Sequence, residues 1–504
     1  MQQLMHSFEG YNAPEEVLKG VRRGEIAAVC LFANKNVASP QQVRELTLSL
    51  RQAAQEGGFL PPLIGIDQEG GQLIAIEGGA TELPGNMALG ATRSASLAEQ
   101  AGRVTARELL AMGLNLNFAP SLDVNVNPAN PVIGIRSFGD SPILVGELGT
   151  AFIRGMQNEG VLATAKHFPG HGDTEGDTHY GLPVVAHTRE RMEEIELAPF
   201  RAAIRAEVGA IMTAHVLFPV LDDQNAATMS KTVLDGFLRH TLGFRGLIIT
   251  DAMDMWAVAQ FGAVPSITQA LTAGADLVLL GHLPDQIALH KNLASLARPE
   301  ALARIVAARR QATTELPPLS VVGCAEHQAI AQEIADRSIT VVRRDNQWPL
   351  DLDQDDLVAV ITPTPLDLTP ADTSSHVNIV LADSIRRRHA RTEAFELSPQ
   401  ASDAEVAAIL EGIKPARVVI VGTINAVQNS AQAALVQALE ERGPSPLVVA
   451  LRTPYDLMAF PMVTNYLCAY GIRPVTMEAI ARVLFGEIEP TGILPCAIPG
   501  LTVA

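Results

Sequence analysis

Residues 162–179 read LATAKHFPGHGDTEGDTH. Leu162 to Lys166 is a short apolar run of strand length, and it passes directly into Pro169, Gly170, Gly172 and Gly176, which suit neither helix nor strand. A buried strand that empties into a polar, glycine-rich loop is a βα unit, and the same unit recurs on both sides of this stretch. Strands are expected at Leu4 to Phe8, Ile26 to Phe32, Leu63 to Ile66, Leu114 to Ala119, Leu162 to Lys166, Ala210 to Ala214, Leu247 to Thr250 and Asp276 to Leu280. Between them, stretches such as Ser96 to Met112 and Arg189 to Ala206 carry apolar residues at the spacing of amphipathic helices. Eight such units favour a closed (β/α)8 TIM-type barrel over an open doubly wound sheet.

The pattern changes after an Ala/Arg-rich helix at Arg298 to Gln311. Thr314 to Ser320 holds two prolines and reads as a linker. Beyond it, Ser338 to Val342, Leu357 to Ile361, Asn378 to Leu381, Val418 to Val421, Leu447 to Ala450 and Tyr466 to Ala469 read as buried strands with helices between. The expected division is a barrel over 1–315 and a smaller α/β sandwich domain over 316–504.

Composition limits what such a chain does. Its 504 residues are 47% hydrophobic and 18% charged, too apolar for a disordered acidic protein. The net charge of −18 divides equally, −9 up to Ser320 and −9 from Val321. Neither half offers the clustered Lys/Arg that nucleic acid or an anionic membrane requires. Cys30, Cys324, Cys468 and Cys496 have no CxxC spacing and read as buried free thiols rather than a zinc site or disulfide framework. With no apolar run long enough to span a bilayer, the expected location is the cytoplasm. The abrupt start, with Leu4 to Phe8 already core, also fits a chain whose leader has been removed.

In a barrel the chemistry gathers at the C-terminal ends of the strands. The third expected strand ends in Asp67, the fourth leads to Asp123 and Asn125, and the fifth ends in Lys166 and His167. The sixth ends in His215, the seventh in Asp251 and the eighth in His282. One of these alone would be an ordinary satisfied polar group; together they resemble a catalytic constellation. In an extended stretch Asp177 and His179 point the same way, so the carboxylate can bond one imidazole nitrogen. That would favour the protonated ring and leave the other nitrogen facing substrate. An oriented histidine on a mobile, exposed loop is a plausible general acid/base.

The segment KHFPGHGDTEGDTH, with IDQEGG, GIRSFG and TDAMDM in the same order, resembles the β-N-acetylglucosaminidases of glycoside hydrolase family 3. The resemblance extends to the chain's end, where FGEIEPTGILP looks like the second domain of two-domain members. It implies a retaining exo-acting hydrolase with no cofactor and no metal. Asp251 matches the nucleophile, His179 with Asp177 the acid/base dyad, and Asp67, Asp123, Arg136, Lys166 and His167 the residues around the bound sugar. Because a histidine replaces the usual carboxylic acid, the carboxylate-separation rule for retaining and inverting enzymes does not apply. The implied substrate is a small oligosaccharide or muropeptide derived from peptidoglycan or chitin, and peptidoglycan recycling is the implied setting. Gln72 and Ala75 depart from the pattern, standing where arginines are common.

Other readings compete. A family 3 β-glucosidase would take its acid from the C-terminal domain and would not need the Asp177/His179 loop. A β-N-acetylglucosaminide phosphorylase remains open, because a histidine acid adds no negative charge to repel phosphate. A metal-dependent barrel hydrolase could draw ligands from His167, His171, His179, His215 and Asp251, but Lys166 would repel the cation. A non-catalytic sugar-binding protein would be expected to have lost Asp251 or His179.

Overall fold

The computed structural model describes residues 2–312, 315–345, 348–442 and 445–501. Eight parallel strands form the first sheet, each coming from one of the eight apolar runs: β1 (Leu4–His6), β2 (Ala28–Cys30), β3 (Leu63–Ile66), β6 (Leu116–Asn117), β7 (Leu162–Phe168), β8 (Ala210–Thr213), β9 (Leu247–Thr250) and β10 (Val278–Leu279). A hairpin inserted after β3, formed by β4 (Gln68–Gly70) and β5 (Leu73–Ile74), stands apart from this sheet. β10 pairs with β1, and an Ile249–Leu277 bridge carries the ring across to β9, so the sheet closes as a barrel. All eight are buried, which is why they read as continuous apolar runs rather than alternating ones.

The expected helix at 96–112 is present as Ala95–Ala111, capped by the Ser94 hydroxyl, which accepts from the Leu97 amide. The one expected at 189–206 is divided into Arg189–Glu194 and Leu197–Arg205. Among the described residues no helix is long and apolar enough to cross a membrane. Of the four free cysteines, Cys30, Cys468 and Cys496 are buried and Cys324 is partly exposed.

The second sheet has the order β11-β16-β15-β14-β12-β13, parallel except for β11. Its strands are β11 (Thr340–Arg343), β12 (Val358–Pro363), β13 (Thr392–Leu397), β14 (Val418–Thr423), β15 (Leu447–Ala450) and β16 (Asn465–Cys468). Five match expectation, and one expected strand is corrected. Residues 378–380 are irregular and Leu381 opens the helix Leu381–Arg386, the apolar side chains packing on the core without joining the sheet. The edge position belongs to β13, whose Glu393, Ala394 and Glu396 are exposed. The expected linker begins at Thr314, which lies outside the described residues; 315–318 carry no regular structure and a short turn follows at Leu319–Val321.

The C-terminal unit is fastened to the barrel by buried polar contacts as well as apolar ones. The enclosed Glu108 carboxylate accepts from the Thr81 amide (2.8 Å) and hydroxyl (2.6 Å) and from the Gly323 amide (2.9 Å), and it pairs with His327 Nδ1 at 2.8 Å. Asn125, beyond β6, donates to the Tyr455 hydroxyl at 2.9 Å. These contacts hold the second unit against the barrel.

Candidate active site

Asp67, Arg136, Lys166, His167, His179 and Asp251, which the sequence scatters over almost two hundred residues, line one cleft of about 650 Å³ at the C-terminal mouth of the barrel. Asp251 follows β9, and its Oδ1 accepts from the Ala252 amide at 2.7 Å. Burial alone would raise this carboxyl's pKa; His167, His215, the Ala252 amide and Lys166 outweigh it and hold the group below the ordinary aspartate value. Asp251 is therefore ionised at neutral pH. His215 serves it as scaffold, its Nε2 donating to the Ala252 carbonyl at 3.0 Å and its Nδ1 bonded to the Thr228 hydroxyl at 2.8 Å.

The floor of the cleft is a closed set of ion pairs. Lys166 Nζ lies 2.6 Å from both Asp67 Oδ1 and Glu69 Oε1. Glu69 takes two parallel bonds from Arg136, from Nε at 2.9 Å and from Nη2 at 2.8 Å. Glu69 is enclosed, and burial would push its carboxyl up, yet the two cations bring it down to about 2. Each charge answers the other: burial disfavours the Lys166 ammonium, while Asp67 and Glu69 raise it above the usual lysine range. Glu69 has no counterpart in the sequence-based list. The signal was present, since in DQE the two acids alternate in an extended segment and share a face.

Asp123 is corrected from sugar contact to support. It is fully enclosed behind His167, bonded to its Nδ1 at 2.7 Å, to its amide at 3.2 Å, and to the His171 amide at 2.6 Å. Burial would raise its pKa, but these donors hold it far below the aspartate range. With Nδ1 committed to a carboxylate, His167 turns its Nε2 toward the cleft.

The 168–179 loop also departs from expectation, because its first half is interior. Phe168 to Gly172 are buried, and a Cβ at Gly172 would collide with the Val124 carbonyl oxygen, so that glycine serves close approach rather than hinging. Asp177 is only 7% exposed, whereas the His179 side chain remains 27% exposed. Asp177 Oδ1 accepts from the His179 amide at 2.9 Å and pairs with His179 Nδ1 at 2.6 Å. Burial would lower the histidine's pKa; the bond to Asp177, and the charges of Asp177 and Asp251, carry it above the usual value. The Asp177 bond thus favours the protonated form of His179, which lines the cleft with its other nitrogen uncommitted to Asp177.

Of the ligands the metal alternative would draw on, His215 is committed elsewhere, both its nitrogens being used on protein groups. Among the described residues, the one group spaced to hold a cation is Asp173, His187 and Glu196, at the foot of the loop. Arg191 already sits there, 2.7 Å from Glu196 Oε1 and 3.7 Å from Asp173 Oδ2. His282 is exposed on the rim, its ring 4.4 Å from that of Phe32.

Comparison with known proteins bears on this geometry. Residues 1–310 match the model of the glycosyl hydrolase family 3 N terminal domain. A beta-hexosaminidase A from Pseudoalteromonas piscicida is 32% identical over 96% of this chain and 91% of its own length. A beta-hexosaminidase from Nitrosomonas eutropha is 39% identical over 52% of this chain and 75% of its own length. Among solved structures, a glycoside hydrolase family 3 beta-N-acetylglucosaminidase from Paenibacillus sp. str. FPU-7 superposes with a TM-score of 0.92 and 37% identity, covering 100% of this chain and 98% of that one. A barrel with an ionised Asp251 and the Asp177–His179 pair at its mouth, matched to that family model over more than half of its residues, belongs to glycosyl hydrolase family 3.

Proposed function

We propose that this glycosidase is a retaining exo-β-N-acetylglucosaminidase. The observation that carries the reading is the pairing, across one cleft, of an ionised Asp251 with a His179 whose proton is stabilised by Asp177. In the first step the Asp251 carboxylate attacks the anomeric carbon, the bond to the leaving oxygen breaks, and His179 gives that oxygen its proton. In the second, water gives a proton to His179 and attacks the same carbon, releasing the sugar and restoring the Asp251 carboxylate. The net reaction consumes one water, and the anomeric configuration is retained through two inversions.

Asp67, Arg136, Lys166 and His167 hold the sugar hydroxyls by charge-assisted hydrogen bonds. Glu69 and Asp123 act behind them: Glu69 fixes the two cations, and Asp123 fixes the His167 ring. The catalytic barrel takes residues 1–315 and the second unit 316–504. Substrates would be oligosaccharides released from chitin or peptidoglycan, in a cytoplasm that leaves the four cysteines unpaired.

Incubation with a fluorinated N-acetylglucosaminide, followed by mass spectrometry, should place the label on the peptide bearing Asp251. Label on another residue, or turnover with none, would favour attack by the substrate's own acetamido group. Faster cleavage of the 4-nitrophenyl glucoside than of the N-acetylglucosaminide would favour the β-glucosidase reading. A rate that rises with phosphate and yields a sugar 1-phosphate would replace hydrolysis with phosphorolysis, which His179 permits because it is neutral rather than anionic once it has given up its proton.

A further inference from the structure

The cleft is not walled by the barrel alone. Asp367, Leu368, Pro370, Thr373 and His376, from a loop between β12 and the following helix of the C-terminal unit, line the same space as Asp251 and His179. Nothing about this Asp/Thr/Ser/Pro stretch marks it as functional in sequence, but its attachment is unusually firm. The Thr373 amide donates to the Gln72 carbonyl at 2.8 Å, and the Gln72 side-chain amide donates to the Ala371 carbonyl at 3.1 Å. Arg452 bridges the two units, one nitrogen 2.7 Å from Gln72 Oε1 and the other 2.7 Å from Asp372 Oδ2. Arg473 donates to the Gly71 carbonyl at 2.9 Å, to Glu77 Oε1 at 2.8 Å and to the Thr373 hydroxyl at 3.3 Å. Both guanidinium groups are buried, and their barrel-side partners lie in or just beyond the β4–β5 hairpin that begins beside Asp67. The loop is therefore set relative to the sugar-gripping residues by rigid, desolvated contacts rather than by the linker.

Its electrostatic character follows from the lining. Among the described residues lining the cleft, the lysines and arginines are Lys166 and Arg136, both on the floor and both committed to carboxylates. The open side presents Asp254 and Asp367; Asp367 is exposed and, among the described residues, is bonded within its own loop, to the Ser375 amide (2.8 Å) and hydroxyl (2.6 Å). Lys35, near the rim, is held by Glu9 at 2.6 Å, and His376 faces Glu77 at 3.7 Å. Trp256 and Tyr180 add apolar faces that are 48% and 73% exposed. Flat aromatic faces and acceptor carboxylates suit a pyranose ring that stacks and donates hydroxyl protons; among the described lining residues, a carboxylate brought to the open side meets Asp254 and Asp367 and no lysine or arginine that is not already paired.

We propose that the 366–376 loop is the aglycone-recognising wall of the cleft and that it selects an uncharged sugar over one bearing a carboxylate. This rests on the reading of the cleft as the site of N-acetylglucosaminide cleavage, and it narrows the substrate class within that reading. The test compares kcat/KM for 4-nitrophenyl N-acetylglucosaminide, chitobiose and N-acetylglucosaminyl-anhydromuramic acid, at about 10 mM and about 300 mM salt, across which the screening length falls severalfold. Chitobiose should exceed the anionic disaccharide by about tenfold or more at low salt, and the gap should narrow at high salt because screening relieves only the charged substrate. Asp367→Lys should raise the ratio of anionic to neutral cleavage severalfold, and Asp367→Asn should raise it less. Equal or better cleavage of the anionic disaccharide by the unaltered enzyme, or a ratio that neither variant moves, overturns the proposal. Failure to cleave all three substrates would instead overturn the underlying reading of the cleft.

Discussion

Two groups of charge meet in this cleft and are built in opposite ways. The Asp67–Lys166–Glu69–Arg136 set sits at strand ends, on the hairpin beside β3 and, for Arg136, in the short turn Gly134–Arg136, with Glu69, Lys166 and Arg136 side chains at most 3% exposed and every cation answered by a carboxylate at 2.6–2.9 Å. The Asp177–His179 pair rides on a loop, joins one carboxylate to one imidazole, and leaves the histidine 27% exposed. Asp177 Oδ2 is buried without a hydrogen-bond partner among the described residues, as is the Nε2 of nearby His171. The difference follows from the tasks. Gripping hydroxyls needs charges that stay charged and stay put, which burial with complete pairing achieves; moving a proton needs a group free to change its state.

The largest expected effect comes from breaking the buried set. Glu69→Ala leaves Arg136 and Lys166 enclosed without their shared partner, and should cost about 3–5 kcal/mol of stability along with all turnover. Thermal unfolding of the variant checks this. A melting temperature near that of the parent would mean that water or rearrangement replaces Glu69, and the contrast drawn above would collapse.

Asp177→Ala should do the reverse. Turnover should fall about 10²–10⁴-fold, while stability changes by about 1 kcal/mol or less. Asp177 is buried, but one of its oxygens is unpaired, and the amide and Nδ1 that bond the other belong to His179, which is open enough to solvent for water to take their place. A loss of stability matching that of Glu69→Ala would make the dyad structural.

His179→Ala sharpens the assignment of the proton. A 4-nitrophenyl glycoside, which needs little proton donation, should lose less in its first step than a disaccharide. Equal losses on both substrates would assign His179 to binding instead.

The smallest effects are in pH dependence. Asp177 holds the His179 pKa above its ordinary value, so Asp177→Asn should move the alkaline limb of the rate profile to lower pH. For Glu69 the folded pKa, about 2, lies below the unfolded value of 4.5. Its contribution to stability is therefore complete above about pH 4.5 and is lost as pH falls toward 2, and the acid unfolding of Glu69→Gln should lack that component. An unaltered acid limb in this variant would show that other carboxylates carry the transition.

The barrel was legible because its strands are buried on both sides, so each appears as an uninterrupted apolar run whatever its neighbours do. The second sheet was less so. Asn378 to Leu381 has the composition of a strand, but its apolar groups are used to pack irregular chain and the start of a helix on the core. β13 was overlooked because an edge strand keeps charge on its open side, as Glu393 and Glu396 do here, and so lacks the apolar signature. Within the site, Asp251, His179 and Lys166 stood out as reactive residues at strand ends or in an unusual loop, whereas Glu69 was hidden by its proximity to Asp67.

By itself the sequence determined the βα rhythm, the strand-end chemistry and the family, all of which are local patterns of polarity and spacing. Tertiary structure alone decided which charges are enclosed and which are free: that Asp123 stands behind His167, that Glu69 answers two cations, and that a loop some three hundred residues from Gln72 closes the far side of the cleft. Burial and pairing depend on what the rest of the chain brings to a residue, and those partners come from strands and units distant in sequence.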